Sequence, residues 1–332
     1  MNFNSSGTSY TIDGARLLTM LAANGAGVNV LAGNHVVATP TVLGASTTMN
    51  IAAGSSLQIA NLQPTAAPLT KSGAGSLLVG ALSVGTLNAS AGTVVLAAGA
   101  SSPASMRALS MTSGASVDLN DNAMIIDYAA ASSSPLPQVR AQIAAARNGG
   151  SWDAPGLTSS SARANASTTL AAIEGSEFHA MHGAAATFAG VTVDDSAVLV
   201  KYTYYGDTDL NGRVNFDDYV RTDNGFNNHL SGWMNGDFDG NGQINFDDYV
   251  LIDLAFNTQS GTLNRALSFL DGSDRALAGT NGAALARVEQ HFQQFGDAYA
   301  RGFLAAVPEP VVAVLLPAVT AMHATARRRR RV

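Results

Sequence analysis

Leu69-Thr70-Lys71-Ser72-Gly73-Ala74-Gly75-Ser76-Leu77-Leu78-Val79, closed by Gly92-Thr93-Val94-Val95-Leu96, is the stretch on which the fold turns. Each short apolar run here follows a glycine, and the pattern extends along the chain in both directions. Glycines followed by short apolar strands fall at Gly14, Gly33, Gly54, Gly73, Gly92 and Gly114, at intervals of 19, 21, 19, 19 and 22. A period of about twenty predicts a β-solenoid, whose rungs stack because no single rung can bury its apolar face alone. Residues 1–128 fit that reading, being rich in Gly, Ala, Ser, Thr, Val and Leu, with Arg16, Lys71 and Arg107 as their basic groups.

The quoted stretch also resembles the autotransporter-associated β-strand repeat, a passenger-domain element of secreted bacterial proteins. The resemblance covers about 28 residues and implies a parallel β-helix or similar stacked-strand shaft. It does not imply catalysis.

A second pattern lies thirty residues deep in duplicate. Asp207-Thr208-Asp209-Leu210-Asn211-Gly212-Arg213-Val214-Asn215-Phe216-Asp217-Asp218 is followed, in the same register, by Asp237-Phe238-Asp239-Gly240-Asn241-Gly242-Gln243-Ile244-Asn245-Phe246-Asp247-Asp248. A hard cation such as Ca²⁺ takes six to eight oxygen ligands, which a twelve-residue loop supplies from positions 1, 3, 5, 7 and 12. The side chains of Asp207, Asp209, Asn211 and Asp218 fill this role in the first loop, and those of Asp237, Asp239, Asn241 and Asp248 in the second. Arg213 and Gln243, at position 7, would give their backbone carbonyls. Gly212 and Gly242 allow the sharp turn, and Val214 and Ile244 are the apolar residues expected to pack against the partner loop. Exposed Asx turns without a metal use the same residue types, but the match at six fixed positions in both copies favours calcium as the cofactor.

Apolar residues recur at near-helical spacing after each loop: Phe216, Tyr219, Val220 and Phe226, then Phe246, Tyr249, Val250, Leu251, Leu254 and Phe256. Two helices sharing a small core are predicted. The segment Tyr204 to Gln259 resembles a type I dockerin, whose two calcium loops carry Asp at position 12 and each lead into one helix. The resemblance implies a cohesin-like protein as partner. Dockerins often place small hydroxyl residues at loop positions 10 and 11, whereas this chain has Phe216-Asp217 and Phe246-Asp247 there.

Near the end, Val307-Pro308-Glu309-Pro310 precedes a mostly apolar run, Val311 to Ala326, and then five arginines, Arg327 to Arg331. This resembles a PEP-CTERM sorting tail. The apolar run can enter a bilayer while the arginines hold its end on the cytoplasmic side. With Pro317 and His323 inside it, and shorter than the roughly twenty residues of a comfortable span, it predicts a weak anchor. The resemblance implies recognition and removal by an exosortase-type enzyme.

Composition agrees with export. The 332 residues hold no cysteine, which excludes disulfides, thiolate metal sites and a thiol nucleophile. Of 24 acidic residues, 10 are aspartates between Tyr204 and Gln259, and the formal net charge is −6. Loss of the terminal arginines would make the chain more acidic still, so nucleic acid is not expected as a partner. Met1-Asn2-Phe3-Asn4 begins no basic and apolar signal sequence. Tyr10-Thr11-Ile12 reads like the middle of a strand pattern, so the expectation is a start inside a longer precursor.

Between shaft and loops, Pro137 to Arg147 predicts a short helix stopped by Asn148-Gly149-Gly150. Ser151 to Ser167 reads as a loop anchored by Trp152, and alternation at Val198, Val200, Tyr202 and Tyr204 predicts a strand running into the first loop. Leu285, Val288, Phe292, Phe295, Tyr299 and Phe303 predict an amphipathic helix that covers the module.

No catalytic residue is assigned. His179 and His182, near Glu174 and Glu177, offer no evident third ligand, and no Gly-x-Ser-x-Gly elbow occurs. Glycoside chemistry wants facing carboxylates, and the shaft offers Asp13, Asp118, Asp121 and Asp127.

The sequence therefore predicts a mainly β protein: a β-solenoid over 1–128, a mixed connecting segment over 129–203, dockerin-like paired calcium loops over 204–259, an amphipathic helix and linker over 260–306, and a sorting tail with a hydrophobic helix over 307–332. The function expected is that of a non-catalytic exported surface or matrix protein, with extracellular polysaccharide as a further partner. The alternative is a polysaccharide lyase or glycoside hydrolase, or a cohesin-recruited member of a carbohydrate-active assembly.

Overall fold

A computed structural model describes residues 1–259. The stretches 260–306 and 307–332 lie outside the described residues, and with them the expected amphipathic helix and sorting tail.

The chain is mainly β, and its amino-terminal part is a parallel β-solenoid of about five turns. One face stacks six strands in the order Asn2–Asn4, Ala26–Ala32, Thr47–Ile51, Pro68–Ser72, Thr86–Ala89 and Ala108–Met111. A second face stacks Thr11–Ile12, Asn34–Val37, Ser56–Ile59, Ser76–Val79, Thr93–Leu96, Ser116–Asp118 and, last, Gly156–Thr158. Pairing is parallel and, apart from a shift between Phe3 and Asn4 in the first strand, in register, so like positions form columns through the core. Leu57, Leu77, Val94, Val117 and Leu157 make one such column, each fully buried. Burying a leucine or valine side chain contributes about 1.5–3 kcal/mol, and the period-2 alternation repeats that gain on every rung.

Corner glycines set the rung length. Gly33, Gly54, Gly73, Gly92 and Gly114 each sit between a first-face and a second-face strand with positive φ. At Gly73 a Cβ would stand 2.2 Å from the carbonyl oxygen of Ile51 one rung below, so both conformation and space require glycine. Gly14 has positive φ but follows the strand Thr11–Ile12, at a different corner.

One column is interrupted by a charge. Val28, Met49, Lys71, Ala89 and Met111 stack on the first face, and Lys71 is fully buried. Its ammonium donates to the carbonyls of Ser72 (2.9 Å), Gly73 (2.7 Å) and Ala91 (3.0 Å), which fills all three donors at the corners of two successive rungs.

The far end of the solenoid is capped. The strand Ala123–Asp127 pairs in parallel with Ala104–Met106 on one edge and antiparallel with Ala197–Tyr204 on the other, and Thr168–Glu174 completes a four-stranded sheet. Helix α1 (Leu136–Arg147) buries Leu136, Val139, Ile143 and Ala146 against the end of the solenoid and closes at Asn148 in the left-handed conformation. Helices α2 (Ser160–Ala164) and α3 (Gly175–His182) flank the sheet. Helices α4 (Phe216–Asn227) and α5 (Phe246–Gln259) follow the two acidic loops. Their residues Tyr219, Tyr249, Ile252 and Phe256 form one hydrophobic cluster with Ile125, Ile173 and Leu199 of the capping sheet. Among the described residues no helix is long and apolar enough to cross a membrane.

Candidate metal centre

Each acidic loop leads into its helix by the same local chemistry. Asn215 Oδ1 accepts from the Asp217 amide (2.8 Å), and Asp218 Oδ2 accepts from the Asn215 amide (2.9 Å), a reciprocal cap on α4. Asn245, Asp247 and Asp248 repeat it on α5, at 2.8 and 3.0 Å. Aspartates in the first turn also suit the positive end of the helix dipole. The aspartate at position 12 thus lies in the first turn of the helix and faces back into the loop.

The loops fold each set of carboxylates together. One oxygen from each of Asp207, Asp209 and Asp218 lies within 4.8 Å of the others, and the same holds for Asp237, Asp239 and Asp248. Asp207, Asp218 and Asp248 are fully buried. Asp207 accepts from the amides of Asn211 and Gly212 at 2.9 Å and from the Thr203 hydroxyl. Asp248 Oδ1 accepts from the amides of Phe238 (2.7 Å) and Asp239 (3.2 Å). Asp237 Oδ2 accepts from Gly232 (3.3 Å) and Gly242 (3.2 Å), but its Oδ1 is buried with no hydrogen-bond partner among the described residues.

The remaining loop positions are also placed. Asn211 and Asn241 turn Oδ1 to the amides of Arg213 (2.9 Å) and Gln243 (2.8 Å), and the side chains of Arg213 and Gln243 are exposed. Val214 and Ile244 are buried as expected. The backbone of Val214, however, pairs with the Gln259 side chain, whose Oε1 accepts at 2.7 Å and Nε2 donates at 2.9 Å. The end of α5 is thereby stitched to the first loop. The halves are tied reciprocally too: the Tyr219 hydroxyl donates to Asp253 (2.5 Å), and that of Tyr249 to Asp223 (2.8 Å).

Residues with no signal in the loop pattern hold the first loop against the capping sheet. His182 Nε2 is 2.6 Å from the Asp209 carbonyl, Lys201 donates to the Leu210 carbonyl, and Trp233 Nε1 donates to the Asp207 carbonyl at 2.8 Å. His179 turns to Asp195 (2.7 Å) instead, so the two histidines serve different partners and neither joins a metal-type cluster among the described residues. Arg221 Nη1 stands 3.5 Å from Asp209 and 3.7 Å from Asp218. A cleft of about 340 Å³ separates the second loop from α1, with Arg140, Arg147 and Phe238 in its walls.

Burial resists ionisation of these carboxylates. It raises Asp207 and Asp248 to about 7 and Asp218 to about 6, against the opposing hydrogen bonds, and it raises Asp237 as well. With no cation bound, the folded state therefore keeps protons that the unfolded chain, with carboxyl pKa values of about 4, has released. Stability of the cation-free cap should fall as pH rises between about 4 and 7. Thermal unfolding in chelator, followed by near-ultraviolet circular dichroism at pH 5 and pH 8, tests this; a midpoint equal or higher at pH 8 would contradict it.

Comparison with protein-family models, curated proteins and solved structures finds no match to this chain.

Proposed function

We propose that this chain binds two calcium ions, one in each loop, and is a non-catalytic exported surface or matrix protein in which the ions fasten the cap to the β-solenoid. The observation that carries the reading is Asp237 Oδ1, a buried carboxylate oxygen without a hydrogen-bond partner among the described residues, inside an all-oxygen cluster. A buried unpaired charge is costly, and a hard divalent cation is the ligand such donors fit. Asp207, Asp209, Asn211 and Asp218 with the Arg213 carbonyl would hold one ion; Asp237, Asp239, Asn241 and Asp248 with the Gln243 carbonyl would hold the other. Binding to the ordered loops alone couples calcium to folding.

The paired loop-helix units support a dockerin-like module, here merged with the capping sheet through a common core. On the same reading, the module meets a cohesin-like protein, and the carboxyl-terminal tail sends the chain to an exosortase-type enzyme. The solenoid is the part that would face extracellular polysaccharide.

Calorimetric titration of calcium into the full chain tests the reading. Two ions per chain are expected, and their uptake should vanish when Asp207→Ala and Asp237→Ala are combined. Absence of binding in the unaltered chain would sink it.

A further inference from the structure

The two loops carry the same ligand residues in different electrostatic surroundings. In the first, Arg221 Nη1 lies 3.5 Å from Asp209 Oδ2 and 3.7 Å from Asp218 Oδ1, and donates to Thr208 Oγ1 at 3.2 Å. Lys201 adds a second cation at the Leu210 carbonyl. Thirty positions further on, the residues matching Arg221 and Lys201 are Leu251 and Ser231. Among the described residues no basic side chain forms an ion pair with Asp237, Asp239 or Asp248. Arg147 shares a cleft with Asp239, but its Nε donates to the Tyr205 hydroxyl at 2.7 Å. The contrast shows at the oxygen atoms: two first-loop carboxylates face a guanidinium, while Asp237, only 7% exposed, has no hydrogen bond to Oδ1 among the described residues.

We propose that Arg221 makes the two calcium sites unequal, so that the second loop fills first and the first loop fills only as the guanidinium is displaced from Asp209 and Asp218. The inference rests on the calcium reading above. An arginine stays charged at every working pH, so it competes with the ion for the same oxygens under all conditions in which the carboxylates are ionised. Arg221 is therefore an affinity-determining residue that ligates nothing itself. The first loop becomes the site that answers changes in calcium concentration, while the second serves as a standing structural ion.

The test is calcium titration of the full chain by calorimetry, in four variants beside the unaltered protein. The unaltered chain should show two steps whose dissociation constants differ by about tenfold or more. Asp237→Asn should remove the tight step and Asp207→Asn the weak one. Arg221→Leu, which gives the first loop the residue of the second, should bring the weak step to within about threefold of the tight step. Leu251→Arg should weaken the tight step, a result that general loosening of α4 would not produce. Two equal steps in the unaltered chain, a weak step unmoved by Arg221→Leu, or a tight step lost with Asp207→Asn would each overturn the inference while leaving calcium binding intact. Absence of any uptake would instead bring down the calcium reading beneath it.

Discussion

On the calcium reading, a chelator added to the full chain is expected to lower the unfolding midpoint of the cap by on the order of 20 °C while the solenoid rungs stay folded. Each ion bound to the folded state alone adds about 4 kcal/mol at a thousandfold excess over its dissociation constant, so two sites together exceed most single contacts in a domain. The effect should be local. The loop residues Leu210, Val214 and Phe238, apolar residues of α4 and α5, and the sheet residues Ile125, Ile173 and Leu199 belong to one hydrophobic cluster, whereas Leu57, Leu77 and Val94 belong to another. Hydrogen exchange by segment is the appropriate measurement: amides of 204–259 should lose protection in chelator, and those of Ser56–Ile59 and Ser76–Val79 should not. Equal exchange with and without calcium would refute the coupling. Asp248→Ala should mimic half of the loss even in saturating calcium, because that carboxylate also accepts from the amides of Phe238, Asp239 and Asn245.

Replacing Lys71 is the second large perturbation, and it acts inside the solenoid, on the fourth of the six first-face strands. Lys71→Ala removes a buried four-carbon stem and takes the donor from three carbonyls, so a loss of about 3–5 kcal/mol is expected in urea unfolding of the solenoid. Lys71→Met keeps the stem and should cost less, about 1–3 kcal/mol. The unaltered residue also gives the solenoid a pH signature. Burial lowers its pKa from 10.5 to about 8. Between those values the folded state holds fewer protons than the unfolded chain, so stability should rise as pH climbs from 8 towards 10. Lys71→Met should abolish that rise; a rise of the same size in the variant would assign it to other groups.

Much of the shaft is legible because its rule is local and repeated. A positive-φ corner every 19 to 22 residues demands glycine, and Gly33, Gly54, Gly73, Gly92 and Gly114 mark the corners between the two main faces. Gly14 fits the count without occupying that corner, so spacing alone misplaces it. Helix α1 is equally legible from its proline start and its Asn148 stop. The stretch 151–167, read as loop, holds the last second-face strand, Gly156–Thr158, and α2 at Ser160–Ala164. Three and five residues are too few for a period to register, and their structure comes from docking on Ser116–Asp118 and on the capping sheet.

The turns of the acidic loops are legible for the same reason as the corners, since Gly212 and Gly242 take positive φ and Val214 and Ile244 are buried, each position having its own steric requirement. The packing of α4 is legible in part: Tyr219 is buried and Phe226 packs against the core, as their spacing predicts. Phe216 and Val220 look like core residues at helical spacing, yet they are 40% and 43% exposed. The buried stripe is Asp218, Tyr219, Thr222 and Gly225. Small residues win there because the turn after α4 comes in close: a Cβ on Gly225 would stand 2.0 Å from the Asn235 carbonyl oxygen. Arg221, Lys201 and His182 reach the first loop from one helix turn onward, from the strand before it and from α3, so no spacing within the loop could announce them.

The crossed tyrosine-aspartate bonds, Tyr219 to Asp253 and Tyr249 to Asp223, make the two loop-helix units halves of a single object. Each unit directs its polar anchors at the other, so neither is complete by itself. A chain shortened to one unit would present a surface shaped for its missing twin, and a second shortened chain carries that twin's chemistry. In this sense the region is a fused dimer, and nicking or stretching the link between Asn227 and Asp237 would open a route to domain-swapped pairs, with a half from each of two chains closing the same crossed bonds.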